Sequence, residues 1–391
     1  MSLEKKVESI LEQQREYVIA MRREFHANPE MSWEEVRTSA RIKEELDKAD
    51  IPWIACAGTG IIASIEGKNP GKTVGLRADM DALSVLEQNE ISYKSKTDGV
   101  MHACGHDGHA AMLLGAAKAL NAVKDSLNGT VKLLFQPAEE RVEGAKRMIE
   151  EGALEGIDAI LGIHLWSGVE TGQINIEAGP RMASGDYVII DFIGKGGHGS
   201  MPDQTIDPIV VASEFIMNSQ SVLSREKSPL ESVVFTIGDF KSGTRFNVIP
   251  ERAHLEGTLR CYGEAARTHF SEAIERYAIK VAEMHRAKAD VAIIKGTPAT
   301  INDPTVTEIA QRAGAAIVGN ENMVPLGKTT GSEDMAYYLQ KIPGVMAFVG
   351  AGFKDPSLNY PHHHPKFNMN EDSLKYGMAL YFNFARTYLS E

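Results

Sequence analysis

Apolar residues recur at helical spacing near the start of the chain. Val7, Ile10, Leu11, Tyr17, Val18, Met21 and Phe25 predict a helix over residues 4–27, and Pro29 stands just past its end. Beyond it, short runs rich in Val, Ile and Leu alternate with helical stretches. Residues 73–78, 130–135 and 158–165 read as buried strands, with helices over 108–120 and 145–151 between them. Such alternation predicts an α/β layer on a largely parallel sheet.

The pattern changes in the middle of the chain. A strand over 186–193, a helix over 207–223 and two strands over 232–240 and 253–261 come first. A long helix with Phe270, Ile274, Tyr277, Val281 and Met284 on one stripe and a strand near 289–294 complete the set. The order β-α-β-β-α-β is that of a ferredoxin-like α+β unit. The α/β pattern resumes at Pro304 and ends in a helix over 371–389. The predicted organisation is therefore one α/β domain, residues 1–182 and 295–391, interrupted by a smaller domain at 183–294.

A chain of 391 residues has room for such a division. Its net charge of -12 offers no basic face for nucleic acid or an anionic membrane. No apolar run approaches the ~18 residues of a membrane span, and the first residues lack the apolar stretch of a secretory signal. Three cysteines, Cys56, Cys104 and Cys261, are a poor disulfide framework and point to a reducing compartment, the cytoplasm. Cys56 and Cys261 read as small buried apolar side chains.

Two phosphate-loop look-alikes fail. Gly58-Thr59-Gly60-Ile61-Ile62-Ala63 has dinucleotide spacing, and the stretch from Gly67 to Thr73 is one residue short of a P-loop. Neither leads into the helix N-terminus that would hold a phosphate, and both read as hairpin turns. No serine occupies a Gly-x-Ser-x-Gly elbow.

The candidate chemistry lies elsewhere. His102, Cys104, His106 and His109 fall within eight residues just ahead of a helix, and Cys-x-His suits a borderline-soft divalent metal. A polar loop with incidental histidines is the alternative. Glu139 and Glu140 follow the strand 130–135 through Gln136-Pro137-Ala138. One carboxylate can bind metal while its neighbour takes a proton from water, although adjacent glutamates are usually just solvated. His164 ends the apolar run 159–163, so successive strands deliver possible ligands at the edge where α/β sheets place their sites. Pro361-His362-His363-His364-Pro365 is either a surface loop or a further contribution to that site.

With these motifs in view, nearly the whole chain resembles the metallo-amidohydrolases that include aminoacylase-like enzymes, hippurate hydrolase and plant auxin-conjugate hydrolases. The resemblance runs, in order, through Leu76-Arg77-Ala78-Asp79-Met80-Asp81-Ala82-Leu83, His102-Ala103-Cys104-Gly105-His106-Asp107, Gln136-Pro137-Ala138-Glu139-Glu140, Gly196-Gly197-His198-Gly199-Ser200-Met201-Pro202, Asn247-Val248-Ile249-Pro250, Gly331-Ser332-Glu333-Asp334 and His363-His364-Pro365-Lys366-Phe367. It implies two divalent metal ions per subunit, zinc or manganese first and cobalt or nickel next, held by Cys104, His106, Glu140, His164 and His363. His363 is chosen because the family's ligand stands two residues before the proline. Cys104 occupies a place that relatives fill with a bridging aspartate, and Glu139 is the implied general base.

The same resemblance makes the inserted domain a lid and dimerisation domain of a homodimer. His198 is then the oxyanion-stabilising group, often in the partner's site, and Asn247 and Arg260 hold the substrate's carboxylate or carbonyl. Arg260 reads equally well as a strand-edge charge. Asp79 and Asp81 orient a metal ligand or, on the plainer reading, cap a turn. The implied substrate is an N-acyl amino acid or related small conjugate. A metallo-dipeptidase is the neighbouring alternative, and a non-catalytic metal- or ligand-binding protein the distant one, since such a protein needs no base beside Glu140.

Overall fold

The computed structural model describes residues 3–391, with side chains from Ser9 onward. Val7, the first residue of the predicted stripe, therefore lies outside the described side chains. Helix α1 (Leu3–Ala27) buries Val18, Met21 and Phe25, with Ile10, Leu11 and Tyr17 half-buried against the same core. Helix α2 (Val36–Lys48) has no counterpart in the sequence reading. Its buried residues are Thr38, Ser39, Ile42, Glu45 and Leu46, three of the five polar, so hydrophobic periodicity is too weak to reveal it.

The chain divides into two compact units. The first holds the residues up to Gly179 together with Ile301–Gly327 and Asp334–Glu391. In it, β1 (Trp53–Cys56) and β2 (Gly60–Glu66) form a hairpin around Ala57, Gly58 and Thr59. The second expected hairpin does not exist. Between β2 and β3 (Asn69–Asp79) lies β4 (Asn128–Gln136), antiparallel to β2 and parallel to β3. The turn at Gly67 instead crosses the start of β4, its N–H bonded to the Gly129 carbonyl at 2.8 Å.

Helix α3 (His106–Asn121) links β3 to β4, and α4 (Gly144–Glu150) links β4 to β5 (Ala159–Glu170). The short strand β6 (Ile174–Asn175) follows, and β7 (Gly179–Met182) leads into the second unit.

That second unit comprises Pro180–Thr300 and Lys328–Glu333. It runs β8 (Asp186–Ile193), β9 (Gly197–His198), α5 (Pro208–Ser221), β10 (Val233–Ser242), β11 (Val248–Ile249), β12 (Arg252–Cys261), α6 (Glu264–Met284) and β13 (Lys288–Lys295). Four strands form an antiparallel sheet in the order β10-β12-β8-β13. Without the short pair β9 and β11, the order is the ferredoxin-like one. Helix α5 starts where Asp207 accepts the Ile209 N–H at 2.9 Å and Pro208 fills the first helical position. Phe192, Phe215, Phe270 and Ile274 anchor a core separate from that of the first unit. Met284, expected on the buried stripe of α6, is exposed at the helix end.

The chain returns through β14 (Thr300–Asn302) to α7 (Pro304–Val318), again started by an Asp-Pro pair, with Asp303 accepting the Val306 N–H at 2.9 Å. Helix α8 (Met335–Leu339), strand β15 (Gly344–Gly352) and α9 (Ser373–Leu389) complete the first unit. Its seven-stranded sheet has the order β1-β2-β4-β3-β5-β15-β6. The centre, β4-β3-β5-β15, is parallel, and the flanking pairs are antiparallel. No helix among the described residues is long and apolar enough to cross a membrane.

Candidate metal centre

The parallel strands bring their C-terminal ends to one edge. Asp79 ends β3 opposite Gln136 of β4, and Arg77 pairs with Gly162, two residues short of His164 on β5. Cys104 and His106 flank Gly105, which begins α3 at φ 95°. A left-handed backbone is free for glycine, but the same region holds Ala138 at φ 51° just before Glu139, and His363 at φ 66°. Each of these costs about 1–3 kcal/mol, so the surrounding fold enforces turns that aim the next side chains. The His363 N–H is fixed to the Ala103 carbonyl at 2.8 Å, joining the last predicted ligand to the Cys104 turn.

Hydrogen bonds set the tautomers. His106 Nδ1 lies 3.0 Å from the Asp81 carbonyl, and His164 Nδ1 lies 2.7 Å from the Leu165 carbonyl. A carbonyl only accepts, so both Nδ1 atoms carry a proton, and in the neutral rings both Nε2 atoms keep a lone pair. The His164 lone pair faces Cys104 Sγ at 3.5 Å. That of His106 faces Glu140 Oε1 at 3.8 Å and Glu139 Oε2 at 3.9 Å, while His363 Nε2 is 3.6 Å from Glu140 Oε1.

The Cys104–His164 contact is within hydrogen-bond reach of a thiol, but the nitrogen–oxygen separations are too long for hydrogen bonds. Two donors each about 2.1 Å from a tetrahedral ion stand roughly 3.4 Å apart, which is nearly the spacing observed. Buried His106 Nε2 and Glu140 Oε1 have no hydrogen-bond partner among the described residues. A divalent cation is the partner that would satisfy both, and the donor set of thiol, imidazole and carboxylate fits zinc-like chemistry. Cys104 belongs to two groups of converging donors, one with His106 and Glu140 and one with His164 and His362.

Burial acts on His106, but Asp79 and Asp81 outweigh it and raise that ring well above its ordinary range, whereas Glu140, Cys104 and His164 are driven towards neutrality. Desolvation pushes Glu140 up to about 7 against the pull of His106, and it raises the Cys104 thiol with the Glu140 charge adding to the effect. Burial likewise holds His164 well below its ordinary range, helped by the neighbouring histidines. A bound cation reverses the tendency at Glu140 and Cys104 and reinforces it at His164, where only the neutral ring can ligate.

Two neighbouring histidines serve other ends. His109 Nδ1 donates to Asp79 at 2.6 Å, and its Nε2 accepts the Leu165 N–H at 2.9 Å. Both nitrogens are thus occupied, and His109 is no ligand although it sits beside Asp79 and His106. His362 Nε2 faces the Ser167 N–H at 3.3 Å, and its ring stands between Trp166 and Phe367. Burial pushes His362 down to about 3.

Asp81 does more than face one ligand. Its carboxylate accepts the N–H groups of Glu139 at 3.1 Å and Glu140 at 3.0 Å, and the Ser32 hydroxyl at 2.6 Å. His106 Nδ1 also lies 3.2 Å from it, so one side chain orients three of the predicted site residues. Asp79 is held by Arg77 at 2.6 Å as well as by His109. Burial opposes its charge, but His106, His109 and Arg77 outweigh that and keep the carboxyl well below the usual range.

Arg77 also bonds Gln136 at 2.8 Å and Asp334 at 2.8 Å, and the Asp334 N–H donates to Glu139 Oε1 at 3.3 Å. Glu139 is buried, with this network at its back.

The remaining predicted residues lie in the second unit. His198 on β9 pairs with Val248 on β11, and the Gly199 N–H bonds the Asn247 carbonyl at 3.0 Å, so these two motifs share one turn. His198 Nδ1 accepts the Ser200 N–H at 3.1 Å, which leaves the proton of the neutral ring on exposed Nε2. Arg260, on β12, bonds the Thr258 hydroxyl and the Leu259 carbonyl.

Comparison with known proteins places this geometry. The chain is 39% identical over 381 residues to IAA-amino acid hydrolase ILR1-like 4 of Arabidopsis thaliana, covering 96% of this chain and 86% of that protein. It is 39% identical over 362 residues to N-acetylcysteine deacetylase of Bacillus subtilis, covering 91% and 93%. A solved structure from Bacillus subtilis, described as a dinuclear metal binding peptidase from the M20 family, superposes with a TM-score of 0.87 at 35% identity, covering 97% and 99%. Residues 75–387 match the profile of peptidase family M20/M25/M40, a span containing every metal-facing residue described above. This chain is thus a hydrolase of amide bonds, and it belongs to peptidase family M20/M25/M40.

Proposed function

We propose that the chain is a dinuclear metal-dependent amidohydrolase that splits N-acyl amino acids into a carboxylic acid and a free amino acid. The observation that carries this reading is the pair of unpartnered buried atoms, His106 Nε2 and Glu140 Oε1, beside the Cys104–His164 contact, with buried Glu139 next to them. The relatives named for IAA-amino acid hydrolysis and N-acetylcysteine deacetylation support the substrate class.

Cys104, His106, Glu140, His164 and His363 would hold the two cations, with Cys104 shared; when bound, the cations lower the pKa of a water and polarise the substrate carbonyl. Glu139 accepts the proton of the attacking water and delivers it to the departing amine nitrogen. The Asp334 N–H on its Oε1 steadies the carboxylate. His198 donates its Nε2 proton in a hydrogen bond to the developing oxyanion. Asn247 and Arg260 hold the amino-acid carboxylate or the carbonyl, and Asp79 and Asp81 keep the histidines aimed.

Zinc or manganese is the first choice of metal and cobalt or nickel the next. The enzyme works in the cytoplasm as a homodimer. Support for the dimer comes from Val210, Met217, Leu230, Phe246 and Val248, large apolar side chains left exposed on the second unit.

A panel of N-acetyl, N-benzoyl, N-succinyl and N-indolylacetyl amino acids, each assayed for free amine with each metal, tests the reading. Turnover of at least one conjugate is expected, and none with any metal would sink it. Dipeptides belong in the panel because a related solved structure is described as a peptidase.

The dimeric placement of His198 has its own test. His198→Ala and Glu139→Gln proteins are each expected to be nearly inactive. If His198 serves the partner's site, a mixed dimer of the two has one site with both defects and one with neither. Co-expression then restores up to about half the activity per mixed dimer, as for two independent sites. No restoration in tag-verified mixed dimers places His198 in its own subunit's site.

A further inference from the structure

Helix α1 contributes none of the proposed ligands, yet its Arg22 is fully buried behind them. Arg22 Nε donates to Asp107 Oδ2 at 2.8 Å, next in sequence to His106. Its two terminal nitrogens donate to Asn368 Oδ1 at 3.1 Å and to Glu371 Oε1 at 3.2 Å, on the segment that follows the His363 turn. One rigid guanidinium therefore joins the two turns whose ligands converge on Glu140.

A second buried side chain of α1 repeats the link. His26 Nδ1 meets Asp107 Oδ2 at 2.9 Å and its Nε2 meets Glu87 Oε1 at 3.1 Å. Both partners are carboxylates, so the ring carries two protons and a positive charge. Asn89 bonds Glu87 at 3.1 Å and the Phe367 carbonyl at 2.9 Å, which brings this chain of contacts to the same far segment.

We propose that Arg22 is a positioning residue that sets the spacing between the Cys104–His106 turn and the His363 turn, and so sets metal affinity without touching the metal. The proposal rests on the ligand set above. A planar fork with three partners in different directions fixes a distance in a way that a single point charge does not. The cluster is also enclosed, so Arg22 loses little of its pull to solvent.

The test measures zinc and manganese binding against a coloured competing chelator, with thermal unfolding of metal-free and metal-loaded protein. Wild-type protein is measured first, and its failure to bind either ion would overturn the ligand reading itself. Arg22→Lys keeps the charge but not the fork. Asn368→Ala cuts one of the two Arg22 links to the far segment, leaving that to Glu371, and the short bond from the Met369 N–H at 2.9 Å.

Both variants are expected to bind metal about 10–100-fold more weakly, the usual effect of losing a group that orients a ligand. Excess metal should restore turnover with KM unchanged. A merely structural Arg22 lowers the unfolding temperature of both forms equally and leaves the metal Kd alone. If Arg22→Lys does not fold, Asn368→Ala decides, and wild-type metal affinity in every folded variant overturns the proposal.

Discussion

Glu139→Gln is expected to lower kcat by about 10²–10⁴-fold while leaving fold and metal content intact. That range corresponds to about 2.7–5.5 kcal/mol of lost transition-state stabilisation. Glutamine keeps the shape of the side chain and can still meet the Asp334 N–H that Glu139 Oε1 accepts at 3.3 Å. It cannot take a proton from water. Glu140→Gln should behave differently, because Glu140 Oε1 is the buried atom facing both His106 and His363. There the loss should appear first as metal content. Metal analysis and kcat on the same preparation separate the two residues, and metal loss in Glu139→Gln would mean that their roles are exchanged.

Removal of metal by a strong chelator should abolish turnover, and zinc or manganese should restore it. Stability should follow. A ligand that binds only the native state at 1,000 times its Kd stabilises by about 4.1 kcal/mol. Without it, His106 Nε2 and Glu140 Oε1 remain buried and unpaired. Calorimetry of chelated and reloaded protein should show the unfolding temperature rising by several degrees on reloading. Full activity in rigorously metal-free protein would end the hydrolytic mechanism as written.

Long amphipathic or unbroken apolar segments were legible in the sequence because their burial is written in their periodicity. Helices α1, α5 and α6 and strands β3, β4 and β5 are of this kind. Helix α2 escaped because Thr38, Ser39 and Glu45 are three of its five buried residues. Strand β15 escaped because it is buried throughout and carries glycine at Gly344, Gly350 and Gly352, which gives neither alternation nor a strong strand preference. The turn at Gly67 was misread as a hairpin because strand order depends on which strand the sheet inserts, and β4 arrives about 60 residues later.

The candidate site divides along similar lines. Cys104, His106, Glu139, Glu140 and His164 could be found because reactive residue types cluster at strand ends. The supports behind them could not. Arg77 and Asp334 are 257 residues apart in sequence, and the Asp81 bonds to the Glu139 and Glu140 N–H groups exist only once the turn has folded. The different surroundings of His362 and His363 also come from tertiary structure, one ring packed against Trp166 and the other next to Glu140.

The carbonyls of Asp81 and Leu165, which hold the Nδ1 protons of His106 and His164, belong to the main chain. Every amino acid supplies the same carbonyl there, so evolutionary drift in the side chain at position 165 leaves the direction of the His164 lone pair unchanged. This part of the reagent set is inherited with the path of the backbone. Side chains elsewhere can then vary while these two main-chain carbonyls go on holding the imidazole protons.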